Sequence, residues 1–249
     1  MAFSKSVREL ILAVQFLTRI PTPQVAEFDP RELSRSAVYF PFVGLVIGAV
    51  VVLAAMAGSL ITLNVGALFA LVAWVWITGG LHLDGLGDIA DALGAAHSKP
   101  ERFHEVLKDP HTGSFAVIVI VLQLIAKFVL LSEVVGETMP WGLLLIPAWA
   151  RWASMVWSLS VPALKAGMAE RFAWEIGWTP VGLWAVVLSA ISLWLAPILL
   201  ISFVVVALGA AYWHWRLGGI TGDGLGASIE VMETVLLLGL VVWNTSLAG

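Results

Sequence analysis

The chain has 249 residues, of which 60% are hydrophobic and 12% charged, and its formal net charge is -4. A soluble domain carries about 25% charged residues, so this composition excludes an ordinary soluble globule and indicates an integral membrane protein. The small net charge and the lack of a basic run exclude a nucleic-acid partner. The absence of cysteine excludes disulfides, thiolate metal sites and a cysteine nucleophile.

The opening stretch "MAFSKSVRELILAVQFLTRIPTP" lacks the continuous apolar core and small-residue cleavage site of a signal peptide. Residues 1–36 therefore read as a retained amphipathic segment at the membrane interface. Beyond it the pattern is one of long apolar runs rather than ten-residue alternation, which predicts spanning helices and not a barrel. Seven windows approach the length of about 20 residues that a span needs: 38–58, 61–81, 114–133, 141–161, 180–196, 198–214 and 226–246. The two around Pro197 are short enough to form one kinked re-entrant pair instead. The expected fold is all-α, a polytopic membrane helical bundle of about seven transmembrane helices forming a single domain over 1–249. Within the first window, Gly44 and Gly48 lie four apart and predict a helix-packing face.

Eleven of the 13 basic residues fall between windows on what seven spans would make one side: Lys5, Arg8, Arg19, Arg31 and Arg35, then Lys99, Arg102 and Lys108, then Lys165 and Arg171, then Arg216. Cytoplasmic loops carry the excess of Lys and Arg. The expected topology places the N-terminus inside, in a bacterial-type cytoplasmic (inner) membrane. Segments 82–113 and 213–226, which hold the polar motifs, then emerge together at the cytoplasmic face.

"GGLHLDGLGDIADAL" (79–93) holds the first of these motifs. On a helix, Asp84, Asp88 and Asp91 fall within about 60° of one another. Like charges so close raise each other's pKa unless a cation joins them. Magnesium, a hard ion held by a few carboxylates with water and phosphate completing its shell, is the natural candidate. The alternative is a solvated helix face with Asp84 as an N-cap. His82 is a ligand, a general base or merely an interfacial polar residue; one histidine does not decide. His97, His104 and His111 are spaced too loosely for zinc, and His214 sits among interfacial tryptophans.

In "EVLKDPHTGSFAV", Lys108 is suited to neutralise phosphate oxygens, Asp109 to add a metal ligand, and Thr112, Gly113 and Ser114 to donate hydrogen bonds at a helix start. A plain turn before a helix reads equally well. Lys127 and Arg151 lie inside windows, where a basic side chain needs a partner: either the acidic residues or an anionic substrate. In "GGITGDGLGASIEVMET", Gly219 and Gly222 allow a phosphate to approach the backbone closely. Asp223 and Glu230, seven apart, share a helix face. Glu230 and Glu233 fall in an apolar window and mark a polar interior, or else snorkel to the interface.

Taken in order, "FLTRIPTP", "FPFVGLVIG", "TGGLHLDGLGDIADAL" and "GGITGDGLGASIEVMET" resemble the cobalamin synthase (adenosylcobinamide-GDP ribazoletransferase) family over about residues 16–240. The chain departs from the family pattern at "DPHTGSFA" and at Asp91-Ala92, where the family has Asp-Gly. The resemblance implies transfer of the adenosylcobinamide phosphate moiety from adenosylcobinamide-GDP to alpha-ribazole or alpha-ribazole 5'-phosphate, with GMP leaving. For that reaction Asp84, Asp88, Asp91 and Asp223 are expected to hold Mg2+, with Glu230 as an additional ligand, and the proton acceptor is expected to be a carboxylate, with Asp84 favoured, or His82. A homo-oligomer, or association with other cobalamin-biosynthesis enzymes, is a further expectation.

Two other readings compete. A CDP-alcohol-type phosphotransferase has Ala-Arg two residues after Asp-Gly, whereas Asp84-Gly85 is followed by Leu86, Gly87 and Asp88. An ion-coupled transporter would line a path with Glu230, Glu233, Lys127 and Arg151, yet the other acidic residues gather at one face and no internal repeat is visible.

Overall fold

A computed structural model describes residues 4–25, 29–96, 102–109, 111–136, 141–164 and 167–248. His97, Lys99 and Lys165, singled out above, lie outside the described residues. Twelve α-helices are described in chain order: α1 (Lys5–Leu17), α2 (Pro30–Ser36), α3 (Phe40–Ser59), α4 (Leu63–Thr78), α5 (Leu81–Ala96), α6 (Arg102–Val106), α7 (Ser114–Val135), α8 (Gly142–Ser160), α9 (Met168–Ala173), α10 (Trp178–Leu195), α11 (Ser202–Leu217) and α12 (Gly222–Ala248). Short 3₁₀ turns at Ala37–Tyr39 and Pro197–Ile201 lead into α3 and α11. Among the described residues the only extended pairing is a parallel bridge between Ala163 and Ile220. The molecule is a multi-pass helical membrane protein.

Each of the seven apolar windows coincides with a helix, but length and apolarity qualify only five as spans, or six if one bent pair counts as a single crossing. The count of seven is therefore not reproduced, for two physical reasons. Helix α8 has 19 residues, nearly all buried, and includes Trp149, Ser154, Ser158 and Arg151; protein surrounds it, so it need not match lipid in apolarity. Helix α4 has only 16 residues and breaks at Gly79-Gly80, where α5 turns away by 84°. Both glycines have left-handed backbone, φ 64° and 72°, which side chains rarely adopt. Their amides close the end of α4 on Trp76 O (3.0 Å) and Val75 O (3.1 Å). The bend thus falls in the acidic motif and not at Pro197, where α10 and α11 are separate helices.

The amphipathic reading of the N-terminal segment holds for α1, but its apolar face, including Leu12, Ala13 and Leu17, is buried against the protein itself. Ion pairs from Arg8 to Glu32 (3.1 Å) and from Arg35 to Glu9 (2.9 Å) tie α1 to α2. The expected glycine face is present: a Cβ on Gly44 would stand 2.5 Å from Ala148 Cα, and one on Gly48 would collide with the Leu144 backbone, so α3 and α8 pack with backbones in near contact.

A knot of charge occupies the bundle centre. Lys127 Nζ on α7 lies 2.7 Å from Glu230 and 2.6 Å from Glu233 on α12, and Arg151 on α8 pairs with the other oxygen of Glu233. Gln123 donates to Glu230 Oε2 (2.9 Å), and Lys127 Nζ sits 4.7 Å from the centre of the Trp74 ring on α4. Arg151 and Glu233 are both fully buried. Two cations thus meet two anions, which resolves the positions of Lys127, Arg151, Glu230 and Glu233 as structural ion pairing.

Two outcomes follow from this packing. Gly44→Leu should lower stability by about 1–3 kcal/mol or more, because the added side chain forces α3 from α8; a reduced thermal unfolding midpoint in detergent checks it. Glu233→Ala strands Arg151 and should cost about 3–5 kcal/mol. In a double-mutant cycle, adding Lys127→Met should cost less than it does alone, since the pair then lost is neutral.

Candidate functional site

The acidic motif forms α5 because a glycine break ends α4 immediately before it, and the Gly-Asp motif opens α12 because Thr221 caps it. Thr221 Oγ1 accepts from Gly224 N at 3.0 Å, the N-cap geometry that a short hydroxyl side chain allows. These two helix starts cross where both chains carry glycine. A Cβ on Gly85 would stand 2.9 Å from Asp223 O, and one on Gly226 would stand 3.5 Å from His82 Cα and 3.7 Å from Gly85 Cα. Any larger residue at 85 would separate the helices, so the crossing requires glycine there.

The close approach sets Asp84 and Asp223 into the wall of one cavity of about 180 Å³, together with His82 and Gly222. Ser154 and Ser158 of α8 complete the polar side. Opposite them stand Phe16 of α1, Phe40 of α3 and Phe172 from α9, packed as a trio with ring centroids 5.2 to 5.8 Å apart. Phe172 and Ser154 carried no signal in the sequence beyond apolarity or smallness, because only the fold brings α8 and α9 to this point, whereas Phe40 begins the "FPFVGLVIG" motif. Phe16 begins the "FLTRIPTP" motif, whose position relative to the acidic stretch becomes intelligible here.

The three α5 aspartates have different surroundings. Asp84 lies inside the first turn of α5 and is exposed, so it is not an N-cap. Asp88, one turn on, is half-buried. Asp91 accepts from Gly113 N (2.7 Å) and Ala116 N (3.0 Å), capping the start of α7 from across the chain. A Cβ on Gly113 would lie 2.5 Å from that carboxylate. The amide of Gly113 is therefore committed to Asp91, not available to phosphate.

The remaining expected site residues are spread more widely. Lys108 and Thr112 are exposed on the turn before α7. In the same turn Asp109 binds His111 Nδ1 at 2.6 Å, a hydrogen bond that lowers the Asp109 pKa. Gly219 is buried, with the Pro162 carbonyl against it, where the bridge joins Ile220 N to Pro162 O at 2.8 Å. It serves the loop pairing, whereas Gly222 faces the cavity. Arg151 and Glu230 belong to the central charge knot and not to the cavity wall. Among the described residues no group of three or more histidine, aspartate or glutamate side chains is placed to hold a metal ion. The expected ligand set of Asp84, Asp88, Asp91, Asp223 and Glu230 is not assembled, because Asp91 is spent as a cap and Glu230 as a counter-ion.

His82 connects the two regions. It is buried on α5, lines the cavity, and its Nδ1 lies 3.2 Å from an Arg151 guanidinium nitrogen. On the far side of α5, Leu86, Ile89 and Leu93 line a second, apolar groove of about 990 Å³, closed by Trp157, Tyr212 and Trp213.

Comparison with known proteins is consistent along the chain. A protein from Thiobacillus denitrificans named adenosylcobinamide-GDP ribazoletransferase is 52% identical over 236 residues, covering 93% of this chain and 94% of that one. A protein of the same name from Laribacter hongkongensis is 52% identical over 243 residues, covering 95% and 97%. One from Pseudomonas fluorescens is 34% identical over 253 residues, covering 93% and 98%. No solved structure matches. The family model described as cobalamin-5-phosphate synthase matches residues 9–241, so with the whole acidic and Gly-Asp crossing inside that match, the chain belongs to the cobalamin-5-phosphate synthase family.

Proposed function

We propose that this chain is an adenosylcobinamide-GDP ribazoletransferase that works by phosphoryl transfer. A ribose hydroxyl of alpha-ribazole, or of its 5'-phosphate, attacks the phosphorus that bears the cobinamide arm; the P–O bond to GMP breaks, and adenosylcobalamin or its 5'-phosphate forms. The observation that carries this reading is the glycine crossing of α5 and α12, which puts Asp84 and Asp223 in one cavity. Phosphoryl transfer asks for positioned oxygens and neutralised charge more than for covalent catalysis, and two helix starts lined with carboxylates provide positions for both.

The cavity volume limits what enters. Sites for drug-sized ligands occupy about 300–1,000 Å³, and this cavity of about 180 Å³ takes only the reacting end. The corrinoid ring stays at its mouth. The Phe16, Phe40 and Phe172 wall keeps water from competing with the ribose hydroxyl as nucleophile. Backbone at Gly222, the first residue of α12, permits close approach of phosphate to a helix start. Asp84 accepts the proton of the attacking hydroxyl.

A magnesium ion fits the chemistry of the donors, since the cavity offers hard carboxylate oxygens and magnesium is commonly held by one or two carboxylates with substrate phosphate and water. Asp223 and Asp84, the two carboxylates of the cavity wall, are the residues that would hold it. The bound ion would supply charge neutralisation on the diphosphate. The basic residues clustered in the N-terminal segment support placing this face toward the cytoplasm.

Purified protein with adenosylcobinamide-GDP and each ribazole form should release GMP and yield a product of the expected mass. Asp84→Asn should lower that rate by about 10²–10⁴-fold, and Asp223→Asn should also lower it, while membrane insertion is unchanged; near-normal turnover in either would remove that residue from the mechanism. EDTA should stop the reaction and magnesium should restore it, whereas activity that persists in EDTA would rule out the metal.

A further inference from the structure

Among the described residues, the side chains of the charge knot reach the cavity through one hydrogen bond, between Arg151 and His82 Nδ1 at 3.2 Å. A guanidinium has donors only and stays charged in proteins. Nδ1 must therefore offer its lone pair, and the ring proton resides on Nε2. A doubly protonated imidazolium would face Arg151 with N–H against N–H.

Arg151 is not free to adjust. It has no accessible surface, it pairs with Glu233, and the other oxygen of Glu233 is held by Lys127 at 2.6 Å. Helix α5 is fixed as well, with Gly226 of α12 against the His82 backbone. The Arg151 contact is the only hydrogen bond of the His82 ring among the described residues, and His82 forms part of the cavity wall beside Asp84 and Asp223.

We propose that the Lys127–Glu233–Arg151 chain locks His82 as the neutral Nε2–H tautomer, so that His82 donates a hydrogen bond to an anionic phosphate oxygen in the cavity and does not accept a proton from the substrate. Arg151 is then a positioning residue, acting on the ligand only through His82. The tautomer assignment stands on the protein alone; the ligand half rests on the reading of the cavity as a diphosphate site. Among two carboxylates, a neutral donor offsets the repulsion that a phosphate oxygen would otherwise meet there. The assignment also leaves proton acceptance to a carboxylate.

The test uses the full chain in detergent, with ¹⁵N-labelled histidine. The chain has five histidines, and the His82 signals are those lost in His82→Gln. Nitrogen shifts at neutral pH should show a protonated Nε2 and an unprotonated Nδ1; the reverse tautomer or an imidazolium overturns the proposal. Arg151→Lys, which keeps the charge but not the planar fork, should shift or mix these tautomers, an effect that a purely structural Arg151 would not produce. GDP with magnesium then serves as the probe ligand. His82→Leu should weaken its binding about tenfold or more, and His82→Gln, which retains an N–H, should recover much of the loss. Equal GDP affinity for the unaltered protein and His82→Leu overturns the donor role. Absence of GDP binding by the unaltered protein instead overturns the diphosphate reading and the ligand half with it, whatever the tautomer.

Discussion

A charge within an apolar bundle is tolerated only if another charge meets it, and that constraint organises this molecule. Lys127, Arg151, Glu230 and Glu233 come from α7, α8 and α12, the last far in sequence from the other two, and their charges sum to zero in a buried volume. Hydrophobic attraction does not choose between helix arrangements in a membrane, because lipid tails are as apolar as the helices. Pairing of buried charge does choose, since each wrong registry leaves an ion uncompensated at a cost of several kcal/mol. The knot therefore fixes the rotation of α12 about its own axis. That rotation determines where Asp223, two turns before Glu230, points.

Backbone freedom supplies the second half of the arrangement. The glycines at 79 and 80 let the chain leave α4 and turn α5 by 84°, and those at 85 and 226 let α5 and α12 meet without side chains between them. The carboxylates are thus brought together by small residues that carry no chemistry. Gly113 belongs with these, since only its lack of a Cβ leaves room for the Asp91 carboxylate that caps α7.

Much of this was legible in the sequence. Long apolar runs marked the helices to within a few residues, the Gly44 and Gly48 spacing marked a packing face, and Glu230, Glu233, Lys127 and Arg151 stood out as charges in apolar windows. Which of these charges pair was not legible, because helix order in space is not written in hydropathy; ion pairing and an anionic substrate therefore both stayed open for Lys127 and Arg151, and Glu230 was expected as an additional metal ligand. The stripe formed by Asp84, Asp88 and Asp91 was visible from helical periodicity, but periodicity cannot show that one member is consumed by a distant helix start. The break at Gly79-Gly80 was concealed for a similar reason: a window of apolar residues scores as a continuous span whether or not the backbone turns.

The bend also explains how one helix can line a polar cavity and an apolar groove at once. Because α5 leaves the direction of α4 by 84°, its two sides pack against different parts of the protein. On α5 the aspartates occupy one stripe, while Leu86, Ile89 and Leu93 on the opposite side line the large apolar groove with Trp157 and Trp213. The turned helix thus carries a polar stripe on one side and the wall of an apolar groove on the other. A substrate of the proposed kind, a charged diphosphate joined to a bulky ring, would find carboxylates on one side of this helix and apolar side chains on the other.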